Sequence, residues 1–218
     1  MKQYLETICI RQGKALRMKF HQARFIKTFA EAAGFEPIIP LTSCLNFLPN
    51  HLRYEDRVRC RVVYDRLGQY DITFHPYQLR PIHSLQCVEI PHLDYARKYA
   101  DRSALDAAFS QRGTADDVLI LRNGYLTDTS IANIALFDGK FWRTPAHPLL
   151  EGTHRAALLI RRSILPTPIH ISELSRYSRI RLFNAMIGWG EIELGIEVVR
   201  GPVVNQKTNE NLELGATK

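Results

Sequence analysis

The chain has 218 residues, of which 45% are hydrophobic and 23% charged. That length and apolar content can bury a sizeable core, and they exclude a disordered, collagen-like or coiled-coil chain. The formal net charge of +7 is spread along the sequence with no long basic run, which favours small anionic ligands over nucleic acid as partners. No apolar stretch approaches the roughly 18–20 residues needed to span a bilayer. The opening Met-Lys-Gln-Tyr-Leu-Glu-Thr has no charged-then-apolar signal layout. The expectation is a cytoplasmic chain with no membrane partner. Cys9, Cys44, Cys60 and Cys87 form no CxxC pair and have no histidines at zinc spacing, so they are expected to be reduced, mostly buried and free of metal.

In chain order, Tyr4 to Ile10 predicts a strand and Gln12-Gly13-Lys14 a turn. Ala23, Ile26, Phe29, Ala30 and Ala33 recur at helical spacing, so a helix is expected from about Phe20 to Ala33, capped by Gly34. Pro37, Pro40 and Pro49 punctuate a loop-rich stretch. Val58 to Tyr64 alternates as a strand, Gly68 turns it, and Tyr70 to Phe74 and Leu85 to Ile90 follow as further strands. Residues 1–91 thus read as a small α/β sandwich. Pro91 to Asp94 reads as a linker to a larger unit over 96–204, and 205–218 as a flexible tail. In the second unit a helix is expected from about Ser103 to Gln111, with Ser103 and Asp106 as its capping pair and Gly113 as its stop. Asn123-Gly124 and Asp138-Gly139 are two-residue turn pairs between β-rich runs, which predicts at least three consecutive antiparallel strands. Thr153 is expected to cap a helix running to about Ile164, before Pro166. A short helix near Ser172 to Arg176, a strand over Ile180 to Ile187 and a last strand near Ile196 to Val199 complete the scheme. The expected fold class is therefore α/β (α+β): the small domain plus a larger domain on a mixed or antiparallel, barrel-like sheet, with a cleft between them.

Three features could converge at that cleft. Lys98 lies between the linker and a helix, Asp128 interrupts an apolar and Thr-rich strand, and Gly152-Thr153 opens a helix. An amine, a carboxylate and a set of free helix N–H groups are what pyridoxal phosphate requires. Taken singly, each has a plainer reading: a surface lysine, an aspartate at a strand edge or bulge, and an ordinary helix cap.

A longer pattern joins them. It runs Gly124-Tyr-Leu-Thr-Asp128, then Asn133, Thr144-Pro145 and Leu150-Glu-Gly152-Thr153-His-Arg155. This resembles the signature of the class IV aminotransferases, the fold-type IV group of pyridoxal-phosphate enzymes. The group includes branched-chain and D-amino-acid aminotransferases and aminodeoxychorismate lyases. The resemblance implies pyridoxal 5'-phosphate as cofactor, with Lys98 as the lysine that links to it and Asp128 as partner of the ring nitrogen. It also implies phosphate contacts from Arg24 of His21-Gln-Ala-Arg24, from Gly152 and Thr153, and from Asn184-Ala185. Ser103 takes the place where branched-chain enzymes carry a ring-contacting tyrosine, which argues against that subgroup. Most members have Glu where Asp128 stands. The sequence opens directly at Glu6-Thr-Ile, where relatives carry a hairpin that helps form the dimer and the substrate entrance. Relatives are commonly homodimers, so a homodimer is implied. Arg59 and Arg61 share one strand face and could bind the carboxylate of a small anionic amino substrate, or simply be solvated. The reading that follows is a lyase of the aminodeoxychorismate type, with an amino-acid aminotransferase and a non-catalytic basic binding protein as alternatives.

Overall fold

In the computed structural model, which describes residues 2–37 and 40–201, side-chain alternation in the first strand sets the layering. In β1 (Gln3–Arg11) the even positions Tyr4, Glu6, Ile8 and Ile10 are all buried and share one face. The sheet around it also contains β2 (Lys14–Ala15), β3 (Val58–Asp65) and β4 (Tyr70–Pro76), in the order β2-β1-β3-β4. Helix α1 (Met18–Ala33) packs Phe25 and Phe29 against Ile8, Ile10, Cys60 and Val62. It ends where Gly34 enters the left-handed region at φ +84°, its N–H bonded to the Ala30 carbonyl. The proline-punctuated stretch forms two 3-10 turns, Leu41–Phe47 and Asn50–Leu52, which close this core with Leu41, Cys44, Leu48 and Leu52.

The second sheet starts earlier than the sequence suggests. β5 (Leu85–Glu89), grouped above with the first residues, pairs in parallel with β6 (Asp117–Arg122) and with the short β13 (Val199–Arg200). Its side chains explain this. Leu85 and Cys87 enter one apolar cluster and Val88 another, so the strand is covered on both faces, as parallel strands are. The sheet continues through β7 (Tyr125–Thr129), β8 (Asn133–Phe137), β9 (Trp142–Pro145) and β10 (Leu165–Thr167). β11 (Arg179–Phe183) joins β8, and β12 (Ile192–Gly195) joins β11. Helices α2 (Ser103–Ser110) and α3 (Thr153–Ile160) pack beside it. The fold class is the mixed α/β arrangement expected.

Several local expectations are corrected. Asn123-Gly124 does form a two-residue turn between β6 and β7, with φ of +52° and +76°. Asp138-Gly139 instead sits in a longer loop, where the Asp138 carboxylate accepts the Lys140 and Phe141 N–H groups. Ser103 is not a cap: Arg102 holds that place, and Asp101 accepts the Ser103 N–H at 2.9 Å. Gly152, not Thr153, caps α3. That helix stops at Ile160 because Arg162 turns to φ +55°. β11 is shorter than expected, since Asn184 folds back to accept the Met186 and Ile187 N–H groups. The expected last strand divides into a 3-10 turn, Ile196–Val198, and β13. The tail over 205–218 lies outside the described residues. All four cysteines are free and buried. Among the described residues no helix is long and apolar enough to cross a membrane, and no group of His, Cys, Asp or Glu could hold a metal ion.

Candidate active site

The opposite face of the first sheet lines a cavity of about 490 Å3. Leu5 and Thr7 of β1 and Arg59 and Arg61 of β3 reach it at odd positions, as strand alternation requires. From beyond the first sheet come Lys98, Asp128, Asn133, Gly152, Thr153, Asn184 and Ala185. Of the ten candidate residues, nine border this cavity. Ser103 is the exception: it is exposed and does not line it. The reason is helical phase. Arg102, Leu105, Asp106 and Phe109 recur at the spacing of one α2 face and turn toward the cavity, so Ser103 points elsewhere.

Lys98 is fixed by its backbone. The Leu5 N–H donates to the Lys98 carbonyl at 2.8 Å, and the Ala100 N–H donates to Gln3 at 2.9 Å. Its segment therefore runs beside the edge of β1 and carries the amine into the cavity. Surrounding protein displaces water from that amine, and Arg24 adds repulsion, so its pKa falls to about 7. Asp128 is buried at 4% exposure. Burial lifts its pKa to about 6, although both oxygens are engaged. Asn133 Nδ2 donates to Oδ1 at 2.8 Å, and the Leu150 N–H donates to Oδ2 at 2.9 Å.

At the start of α3 the first intrahelical bond is from the Ala156 N–H to the Gly152 carbonyl. The N–H groups of Thr153, His154 and Arg155 precede it and have no helical partner, which makes an anion cradle. Gly152 is needed there for space. A Cβ would lie 2.0 Å from Asn133 Oδ1. Gly152→Ala is therefore expected to displace Asn133 from Asp128 and to cost about 1–3 kcal/mol by denaturant unfolding. Adding Asn133→Ala should restore part of that loss; no recovery in the double variant would refute the contact.

Other motif residues hold structure. Arg155 donates to the Pro145 carbonyl at 2.9 Å, and the Thr144 hydroxyl donates to Ile134 at 2.8 Å. Asn184 commits its side-chain oxygen to its own turn and one amide hydrogen to the Ile131 carbonyl. Arg24 gives Nε and one Nη to Glu6.

Sequence reading left three residues of this region unassigned, two on the cavity and one behind it. Glu6 is buried beneath Arg24 and His21. Burial alone would raise its pKa, but Arg24 and His21 outweigh that and hold it at about 2. The available signal was an acid on the otherwise apolar face of Tyr4, Ile8 and Ile10. Tyr95 and Tyr77 both line the cavity. Tyr95 donates from its hydroxyl to the Tyr99 carbonyl at 3.0 Å.

A cleft thus lies between a small antiparallel sheet and a larger mixed sheet, with the Lys98 amine and the Asp128 carboxylate facing it. A structure from Haemophilus somnus, described as a candidate 4-amino-4-deoxychorismate lyase, superposes with a TM-score of 0.79 at 32% identity, covering 87% of this chain and 98% of that one. A candidate amino-acid aminotransferase from Mesorhizobium loti superposes with a TM-score of 0.74 at 20% identity, covering 92% of this chain and 100% of that one, which speaks for the fold alone. An uncharacterized protein of Haemophilus influenzae is 35% identical over 185 residues, 84% of this chain and 97% of its own. The profile described as amino-transferase class IV matches residues 3–194. The chain belongs to the class IV aminotransferase family, a family of pyridoxal-phosphate-dependent enzymes. That membership answers the binding-protein alternative in favour of an enzyme.

Proposed function

We propose that this chain binds pyridoxal 5'-phosphate in the 490 Å3 cavity and acts as a lyase on an anionic amino substrate. The reaction proposed is conversion of aminodeoxychorismate to 4-aminobenzoate and pyruvate. The single observation that carries the reading is the meeting of Lys98, Asp128 and the Gly152–Thr153 turn around one cavity. The donor set fits the cofactor: an amine of lowered pKa, a buried carboxylate and a helix start with three unpaired N–H groups. When bound, the cofactor supplies an electron sink for a substrate amino group condensed with its aldehyde.

The protein's own part follows from the site. Lys98 holds the cofactor through its amine, and once released it takes a proton from the substrate carbon and returns it elsewhere. A pKa of about 7 suits both directions near neutrality. Asp128 keeps the ring nitrogen protonated by opposing its charge. The α3 N-terminus and Arg24 bind the phosphate, and the 184–185 turn closes the other side through its backbone. Arg59 and Arg61, with Arg80 and Arg102 on the same cavity, receive the substrate carboxylates. We also propose a homodimer, as the family suggests, and the two-unit division, with the changeover moved to residues 77–84.

The same residues could serve transamination, the reading the family name favours. The likeness to the Haemophilus somnus structure and the arginine-lined mouth support the lyase. The deciding experiment mixes purified protein and cofactor with aminodeoxychorismate, and separately with amino-acid donors. Pyruvate with 4-aminobenzoate, and no aminated cofactor, is expected. Aminated cofactor without pyruvate would replace the lyase by an aminotransferase. Arg61→Ala should raise KM for the dianionic substrate about 10- to 100-fold with kcat little changed, the loss of one charge-assisted contact. An unchanged KM would place the carboxylates elsewhere.

A further inference from the structure

Behind the α3 start lies a run of polar groups in which Glu6 and His21 have no part in the proposed reaction. Glu6 is 1% exposed and His21 is 0% exposed. Arg24 clamps Glu6 at 2.7 and 2.6 Å. Glu6 Oε2 also meets His21 Nδ1 at 2.6 Å. The second ring nitrogen, Nε2, lies 3.3 Å from Thr153 Oγ1. One line of contacts thus runs from β1 through α1 to the first residue of the anion cradle.

The protons on this line have two arrangements. Glu6 is held ionised by Arg24 and His21, so it accepts a hydrogen bond from the Nδ1–H in either case. With the ring neutral, Nε2 is an acceptor and receives a hydrogen bond from the Thr153 hydroxyl. The hydroxyl then shows lone pairs to the cleft, the wrong polarity for an anion. With the ring protonated, Nε2 donates to Oγ1, and the hydroxyl proton is released toward the cleft. The charged groups acting on the ring are Glu6 from β1, which favours its protonation, and Arg24 and Arg17 from its own helix, which oppose it. α3 presents the uncharged Thr153 hydroxyl. Burial and the two arginines keep the ring neutral at rest. A dianion at the helix start supplies the charge that reverses this balance.

We propose that His21 takes up one proton from solvent when a phosphate dianion occupies the Gly152–Thr153 turn, which turns the Thr153 hydroxyl from donating to His21 to donating to the phosphate. His21 is then a positioning residue that acts through Thr153. The inference rests on the reading that the cofactor's phosphate docks at this turn.

The test is magnetic resonance of the protein labelled with 15N-histidine, titrated with pyridoxal phosphate and, as control, with pyridoxal. Pyridoxal phosphate should convert the His21 ring from the neutral to the doubly protonated pattern, and pyridoxal should not. Over the range where the ring changes state, phosphate-dependent affinity should strengthen up to about tenfold more per falling pH unit in the wild type than in His21→Gln. Thr153→Ser should keep the response and Thr153→Val should lose it. The wild-type spectra decide the matter even if a variant fails to fold. Bound pyridoxal phosphate with a neutral His21 ring overturns the proposal and leaves the functional reading intact. No binding of pyridoxal phosphate at all overturns both.

Discussion

Lys98→Ala is expected to lower turnover by about 10³-fold or more and to abolish borohydride fixation of the cofactor to the chain. General acid–base assistance alone accounts for roughly 10²–10⁴-fold, and the covalent hold on the cofactor is lost with it. The same substitution should stabilise the cofactor-free protein. The Lys98 pKa is depressed in the fold to about 7, so the folded state disfavours the charged amine. Stability from this group is fully present above the unfolded value, near 10.4, and is lost as pH falls through about 7. At pH 6 the wild type carries the full cost of a buried ammonium. The amine keeps contact with the cavity, which reduces that cost to about 1–3 kcal/mol. The melting temperature of cofactor-free Lys98→Ala should thus exceed that of the wild type at pH 6, with the gap narrowing by pH 10. A variant that melts lower at pH 6 and still forms the borohydride adduct would remove Lys98 from the chemistry. Gain in stability with loss of activity separates a working residue from a structural one.

The parts of this protein legible in its sequence are those set by local physics. Apolar alternation gives β3 and Asn123-Gly124 its hairpin, and the helical recurrence places α1, although the face α1 buries is His21, Phe25, Thr28 and Phe29, with Ala23 left exposed. The signature around Asp128 and Gly152 is dense because its residues touch one another: Asn133 bonds Asp128, Gly152 leaves room for Asn133, and Arg155 ties back to Pro145. What was not legible depends on contacts distant in sequence. β5 follows the first sheet in the chain but pairs across to β6, and its near-continuous burial tells of two covered faces without naming the partner. Ser103 was placed by its count from Lys98, while its direction is decided by the rotation of α2. Glu6 and His21 are separated by 15 residues and meet Thr153 132 residues on; no spacing rule brings them together. Tyr95 carries no pattern at all, yet its aromatic ring reaches the cavity.

Asp128→Asn should weaken cofactor binding and turnover by about 10²–10⁴-fold, the loss of about 3–5 kcal/mol that follows when one partner of a buried ion pair is removed. Its effect on the cofactor-free protein should depend on pH, and the sign follows from the site. Burial raises the Asp128 pKa to about 6, so its contribution to stability is fully present below the unfolded value and is lost as pH rises through about 6. At pH 8 the wild type bears a cost on the order of 3 kcal/mol for the buried charge. Asparagine removes that cost. It also replaces one acceptor by an amide donor, which sets it against either the Leu150 N–H or the Asn133 amide and forfeits about 1–2 kcal/mol. The first effect is larger at pH 8 and vanishes at pH 4. Asp128→Asn should therefore melt higher than wild type at pH 8 and lower at pH 4. Adding cofactor should reverse the order at pH 8, because a cationic ring nitrogen repays the cost only where the carboxylate remains. If the variant melts below wild type at both pH values and binds cofactor as tightly, Asp128 is a structural ligand of the 149–150 turn, and the ring nitrogen must find its counter-charge elsewhere.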